Sequence, residues 1–74
     1  MSQIDIEALV WMRQAAVDGT AREIRKRAGL SQAEIAAVVG AATPTVSRWE
    51  SGQRRPVGLA AQRYAALLRS LEKK

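Results

Sequence analysis

Apolar residues recur along the chain at three- and four-residue intervals, interrupted at glycines 19, 29, 40 and 52. That period is helical, and a glycine after each apolar-periodic segment sits where a left-handed residue ends a helix. No alternating Val/Ile/Thr run and no Asn-Gly turn suggests a strand. Five helices are predicted. The first runs from Asp5 to Val17, with Asp5 as N-cap and Ile6, Leu9, Val10, Arg13 and Val17 as its stripe. The second runs from Ala21 to Ala28, opened by a Thr20/Glu23 capping box, with Ile24 and Ala28 facing inward. The third, Gln32 to Val39, follows a second capping box, Ser31/Glu34, and turns Ile35, Ala36 and Val39 to one face. The fourth, Thr43 to Ser51, carries Pro44 in its first turn and Val46, Trp49 and Glu50 on one face. The fifth starts near Pro56 or Val57 and ends near Leu71, with Leu59, Ala60, Tyr64, Leu67, Leu68 and Leu71 as its stripe. The expected fold is all-α: a five-helix bundle in one domain, residues 1–74.

The first helix departs from a simple amphipathic pattern. Leu9, Val10, Trp11 and Met12 cannot share one face. Either two faces pack within the domain, or one meets another protein.

The 12 Lys/Arg and 7 Asp/Glu are unevenly placed. Residues 1–20 hold one arginine against three acids, and residues 21–74 hold 11 basic against 4 acidic side chains. A basic body of this size points to a polyanionic partner. The chain has no cysteine and no histidine, so disulfides, thiol chemistry and the usual zinc sites are excluded, along with the commonest general base. With no paired carboxylates and no phosphate-binding glycine loop, neither an enzyme nor a cofactor is expected. No secretory signal or bilayer-length apolar run is visible, and a cytoplasmic location is expected. A basic helix lying on a membrane surface is disfavoured, because a core this small needs the apolar face of the last helix.

The informative stretch is Ser31 to Gly52. Two short helices are joined there by Gly40-Ala41-Ala42, the spacing of a helix-turn-helix, whose second helix enters the DNA major groove. That second helix needs only Val46 and Trp49 for packing. Its other faces offer short hydroxyls, one proline and one arginine, where a helix facing plain water would carry more Glu and Lys.

Residues Ala21–Pro56, AREIRKRAGLSQAEIAAVVGAATPTVSRWESGQRRP, resemble the lambda-repressor/Cro-type helix-turn-helix family. The matching features are Arg25, Gly29-Leu30-Ser31-Gln32, Glu34, Ala36, Gly40, Val46 to Glu50, Gly52 and Arg54-Arg55-Pro56. The resemblance implies double-stranded DNA as partner and assigns roles position by position. Thr43, Pro44 and Arg48 would meet base edges, and Thr45 and Ser47 bases or flanking phosphates. Gln32, Arg54 and Arg55 would meet the phosphate backbone, and Arg25 and Glu50 would form a partly buried ion pair. Arg48 has the fork that fits guanine O6 and N7, and the start of the third helix suits a phosphate. Ala41 and Ala42 stand where the family often has a Ser or Thr cap. Either Thr43 caps the recognition helix, which then starts one residue later, or its start is poorly capped.

The expected function is a sequence-specific transcriptional regulator, a repressor or Cro-like protein. It is expected to act as a homodimer held by the N-terminal helix in preference to the last. The rival expectation is an adaptor or antitoxin that docks at DNA through the helix-turn-helix and binds another protein through the N-terminal helix.

Overall fold

A computed structural model describes residues 5–73. Five helices follow in order: α1 (Ile6–Val17), α2 (Thr20–Arg27), α3 (Gln32–Val39), α4 (Thr43–Glu50) and α5 (Gly58–Glu72), with no strand among the described residues. All five contribute to one apolar cluster. Helix α5 is its axis, meeting α1, α2 and α3. It supplies Ala61, Tyr64, Ala65 and Leu68, all fully buried, and the Tyr64 ring stacks on Trp49 of α4 with centroids 6.2 Å apart.

Helix ends follow local chemistry. Asp5 caps α1 by accepting from the Ala8 N–H at 3.0 Å. At α3 the Ser31 side chain accepts from the Glu34 N–H, and Glu34 accepts from the Ser31 N–H, completing the expected capping box. The box expected at Thr20/Glu23 does not form. Gly19, at φ +86°, turns the chain so that Thr20 is already helical, and the Thr20 N–H donates to the Asp18 carboxylate at 2.9 Å. Glu23 meets Arg27 on the surface one turn later instead. The Asp18 carboxyl titrates below its ordinary range because Thr20 hydrogen-bonds to it.

The stripe expected on α1 is largely wrong. Leu9 is buried as expected, and Arg13 lies at the edge of the buried face. Ile6, Val10 and Val17 are 63%, 59% and 77% exposed. The buried face is Ala8, Leu9, Met12, Ala15 and Ala16, on the opposite side of the helix. Both faces are apolar, so the pattern is ambiguous. The alanine face wins because it lets α1 lie close against α5 and α2, while Met12 fills the remaining space. Trp11 sits at the edge, half-buried, with the Arg69 guanidinium 5.8 Å over its ring. Two smaller corrections follow. Ala28 is exposed as the C-cap of α2 while Ala21 and Arg25 are buried, and Leu59 is exposed because it lies on the side of α5 away from buried Ala61, Tyr64, Ala65 and Leu68.

This arrangement predicts sharply unequal costs on α1. Met12→Ala should destabilise by about 2–5 kcal/mol, because it opens a cavity in a packed core. Val10→Ala should change stability by less than about 0.5 kcal/mol. Urea unfolding of both variants measures the difference, and equal losses would return Val10 to the core.

Candidate nucleic-acid interface

Helices α3 and α4 are joined by Gly40-Ala41-Ala42. Gly40 adopts φ +79°, a left-handed conformation that costs a residue with a Cβ about 1–2 kcal/mol. The N–H groups of Gly40 and Ala41 both donate to the Ala36 carbonyl, which closes α3 and releases the chain into α4. Ala42 is the cap residue of α4 and offers no side-chain hydrogen bond, so the second of the two expected outcomes holds: Thr43 lies inside the first turn with Pro44, and its hydroxyl is not spent on capping.

Val46 and Trp49 anchor α4 in the core. Thr43, Pro44 and Arg48 are exposed, and Thr45 and Ser47 are half-exposed. After α4 the chain turns at Gly52. The N–H groups of Gln53 and Arg54 both donate to the Arg48 carbonyl, and Arg54 and Arg55 are exposed beside buried Pro56. Two clefts flank the helix. One, of about 410 Å³, brings Thr45 and Arg48 together with Arg54 and Arg55. The other, of about 210 Å³, is lined by Arg22, Gln32, Ser47, Glu50 and Ser51. Thr43 and Pro44 line neither cleft. Arg22 escaped the sequence reading. Its neighbourhood depends on where the bundle places α2 relative to α3 and α4, which spacing along one helix does not reveal.

Beneath this surface lies a closed polar network. Arg25 Nε donates to Glu50 Oε2 at 2.7 Å, and Arg25 Nη2 donates to Glu50 Oε1 at 2.9 Å. Arg25 Nη1 donates to the Leu30 carbonyl at 2.8 Å. Gln32 Nε2 donates to Glu50 Oε1 at 3.0 Å, and the Tyr64 hydroxyl donates to Glu50 Oε2. The Arg25 and Glu50 side chains are only 8% and 3% exposed. One carboxylate therefore ties α2, α3, α4 and α5 together. Gln32, read from the sequence as a phosphate contact, is held by the same group. Tyr64 was read only as a core residue. The signal for its second role is that a buried tyrosine hydroxyl needs a partner. Burial pushes the Glu50 carboxyl up, but hydrogen bonds from Arg25, Tyr64 and Gln32 outweigh it and hold the group below the usual glutamate range. Burial and the adjacent carboxylate push the Tyr64 hydroxyl well above its ordinary value.

A helix-turn-helix family model matches residues 22–72. The chain belongs to the lambda-repressor/Cro-type helix-turn-helix family. No curated protein and no solved structure gives a significant match. Family membership makes the protein a DNA-binding regulator of this helix-turn-helix type, with double-stranded DNA as its partner. The match begins at Arg22, so α1 lies outside it. No described helix is long and apolar enough to cross a membrane.

The network should behave as one unit. Glu50→Gln and Arg25→Met should each destabilise by about 3 kcal/mol, since each strands a buried polar partner. The double variant should lose less than the two combined, with a coupling of about 0.5–3 kcal/mol. Because the Glu50 pKa is depressed on folding, its contribution is present above the ordinary glutamate pKa and lost as pH falls through the lower folded value. Glu50→Gln should therefore flatten the acid side of the stability curve below about pH 4.5. Urea titrations across pH test both points, and additive losses would mean that the pair is not coupled.

Proposed function

We propose that this protein is a sequence-specific transcriptional regulator, a repressor or Cro-like protein, that reads the major groove with α4. The observation that carries the proposal is the outward face of α4: exposed Thr43, Pro44 and Arg48, half-exposed Thr45 and Ser47, and a basic cleft beside them. Arg48 reads a guanine through O6 and N7. Thr43, Pro44, Thr45 and Ser47 supply hydroxyl and apolar contacts to neighbouring bases. Arg54 and Arg55 meet the backbone past the end of the helix. Gln32, steadied by Glu50, meets a phosphate at the start of α3, where the free N–H groups of the first turn favour an anion.

The protein acts as a homodimer, because one recognition helix spans too few base pairs for useful specificity and paired half-sites lie about one helical turn apart. The exposed face of α1, with Ile6, Val10 and Val17, is the proposed contact. The same face supports the second reading, in which it binds a different protein and the helix-turn-helix docks that protein at DNA. Val10→Asp leaves the buried face of α1 untouched and should shift a dimer to monomer in sedimentation on DNA and off it. Unchanged self-association would move the dimer contact to another surface. A wild type that is monomeric in both conditions would favour the second reading.

Base reading and backbone holding separate in two variants. Arg48→Ala should cost about 1–3 kcal/mol on the preferred site and relax specificity at one G·C pair. Arg54→Ala should weaken all sequences equally and lower the salt slope by about 1. Both residues are exposed, so both variants should remain folded. Affinities for the selected site and for random duplex decide the matter. If Arg48→Ala lowers both by one factor, Arg48 holds phosphate.

A further inference from the structure

The basic loop is anchored at both ends. At its start, the Gln53 and Arg54 N–H groups donate to the Arg48 carbonyl at 2.9 and 3.1 Å. At its end, Arg13 Nε of α1 donates to the Pro56 carbonyl at 2.9 Å, across 43 residues of sequence. Arg13 is half-buried, and Pro56 is buried. Between them lies a cleft of about 190 Å³ where α1 meets the loop, lined by Arg13, Trp49, Arg54, Arg55 and Pro56 among others, with no acidic side chain. Among the described residues neither Arg54 nor Arg55 has a salt-bridge partner, so the loop holds two unneutralised guanidinium groups side by side. Left unanchored, such a loop would splay under its own repulsion and would have to be ordered when it met a polyanion.

On the footing of the DNA-backbone role proposed above for Arg54 and Arg55, we infer that Arg13 is a positioning residue for DNA binding. It staples the loop to α1 and so presets Arg54 and Arg55 for the phosphodiester backbone. Helix α1, outside the family match, is then a working part of the DNA-binding surface. Its Nε is committed to the Pro56 carbonyl, so Arg13 acts through the loop.

The test is a cycle between Arg13→Met and the double variant Arg54→Ala/Arg55→Ala. Arg13→Met should weaken binding to selected and random duplex alike, by about threefold to tenfold. In the Arg54→Ala/Arg55→Ala background it should have almost no further effect. An equal loss in both backgrounds, or no loss in either, overturns the inference. If circular dichroism shows Arg13→Met unfolded, Arg13→Ala removes the same donor with a stronger helix former, and the same criterion applies. A second readout needs no DNA. Hydrogen exchange at Gln53 and Arg54, whose N–H groups donate to the Arg48 carbonyl, should accelerate in Arg13→Met while the Ile35 and Val39 amides of α3 stay protected. Unchanged loop exchange overturns the staple itself. Accelerated exchange in a protein whose wild type binds no duplex overturns the DNA role and leaves the staple standing.

Discussion

The Glu50 carboxylate accepts from Arg25 through two nitrogens, from Gln32 and from Tyr64, and each donor comes from a different helix. The helices α2, α3 and α4 are only eight residues each, too short to be stable alone. Apolar packing brings them together but is not directional. A fork of hydrogen bonds to one buried carboxylate is directional, and so it sets the angle at which α4 leaves the core. Because Glu50 lies on the same helix as Arg48 and Ser47, that angle decides where the outward residues point. Gln32, bound to the same carboxylate, cannot shift independently of them.

The same constraint explains why the interface can be so lightly built. Two faces of α4 are spent on packing and on the network, which leaves a narrow outward strip. On it the hydroxyls are free because the helix start is not capped by a side chain. Holding Thr43 uncommitted costs the stability that a serine or threonine cap would have contributed, about 1 kcal/mol. Its position is secured by Pro44 and by the Ala42 carbonyl, which accepts from Thr45 and Val46.

Much of this was legible in the sequence wherever one helix had a single apolar face. For α3 the periodicity alone named Ile35, Ala36 and Val39, and those are its buried residues. For α4 the same reasoning named Val46 and Trp49. The Arg25–Glu50 pair was legible only through family resemblance, since nothing in the spacing joins residues 25 positions apart. On α1 periodicity failed, because an alanine-methionine face and an isoleucine-valine face compete. Hydrophobicity favours the second, while close helix packing selects the first. The Thr20 capping box failed for a different reason: Gly19 takes a left-handed turn, and Asp18 then reaches the free N–H first. The contacts of Tyr64, Arg22 and Arg13 come from packing between helices, which leaves no mark on local pattern.

The two faces of α1 are best understood together. The buried face meets α5, α2 and α4, and its edge residue Arg13 reaches the loop that carries Arg54 and Arg55. The outer face presents Ile6, Val10 and Val17 to solvent on the one acidic stretch of an otherwise basic chain. Any protein seated on that outer face, a second copy included, presses on the same short helix that staples the basic loop. The path from that face to the arginines would run through Arg13 and its hydrogen bond to the Pro56 carbonyl. A protein contact on the outer face and the proposed backbone contact of Arg54 and Arg55 would then be coupled through one twelve-residue helix. Such coupling would be reciprocal: DNA that fixed the loop would change the outer contact by the same factor as the outer contact changed DNA binding.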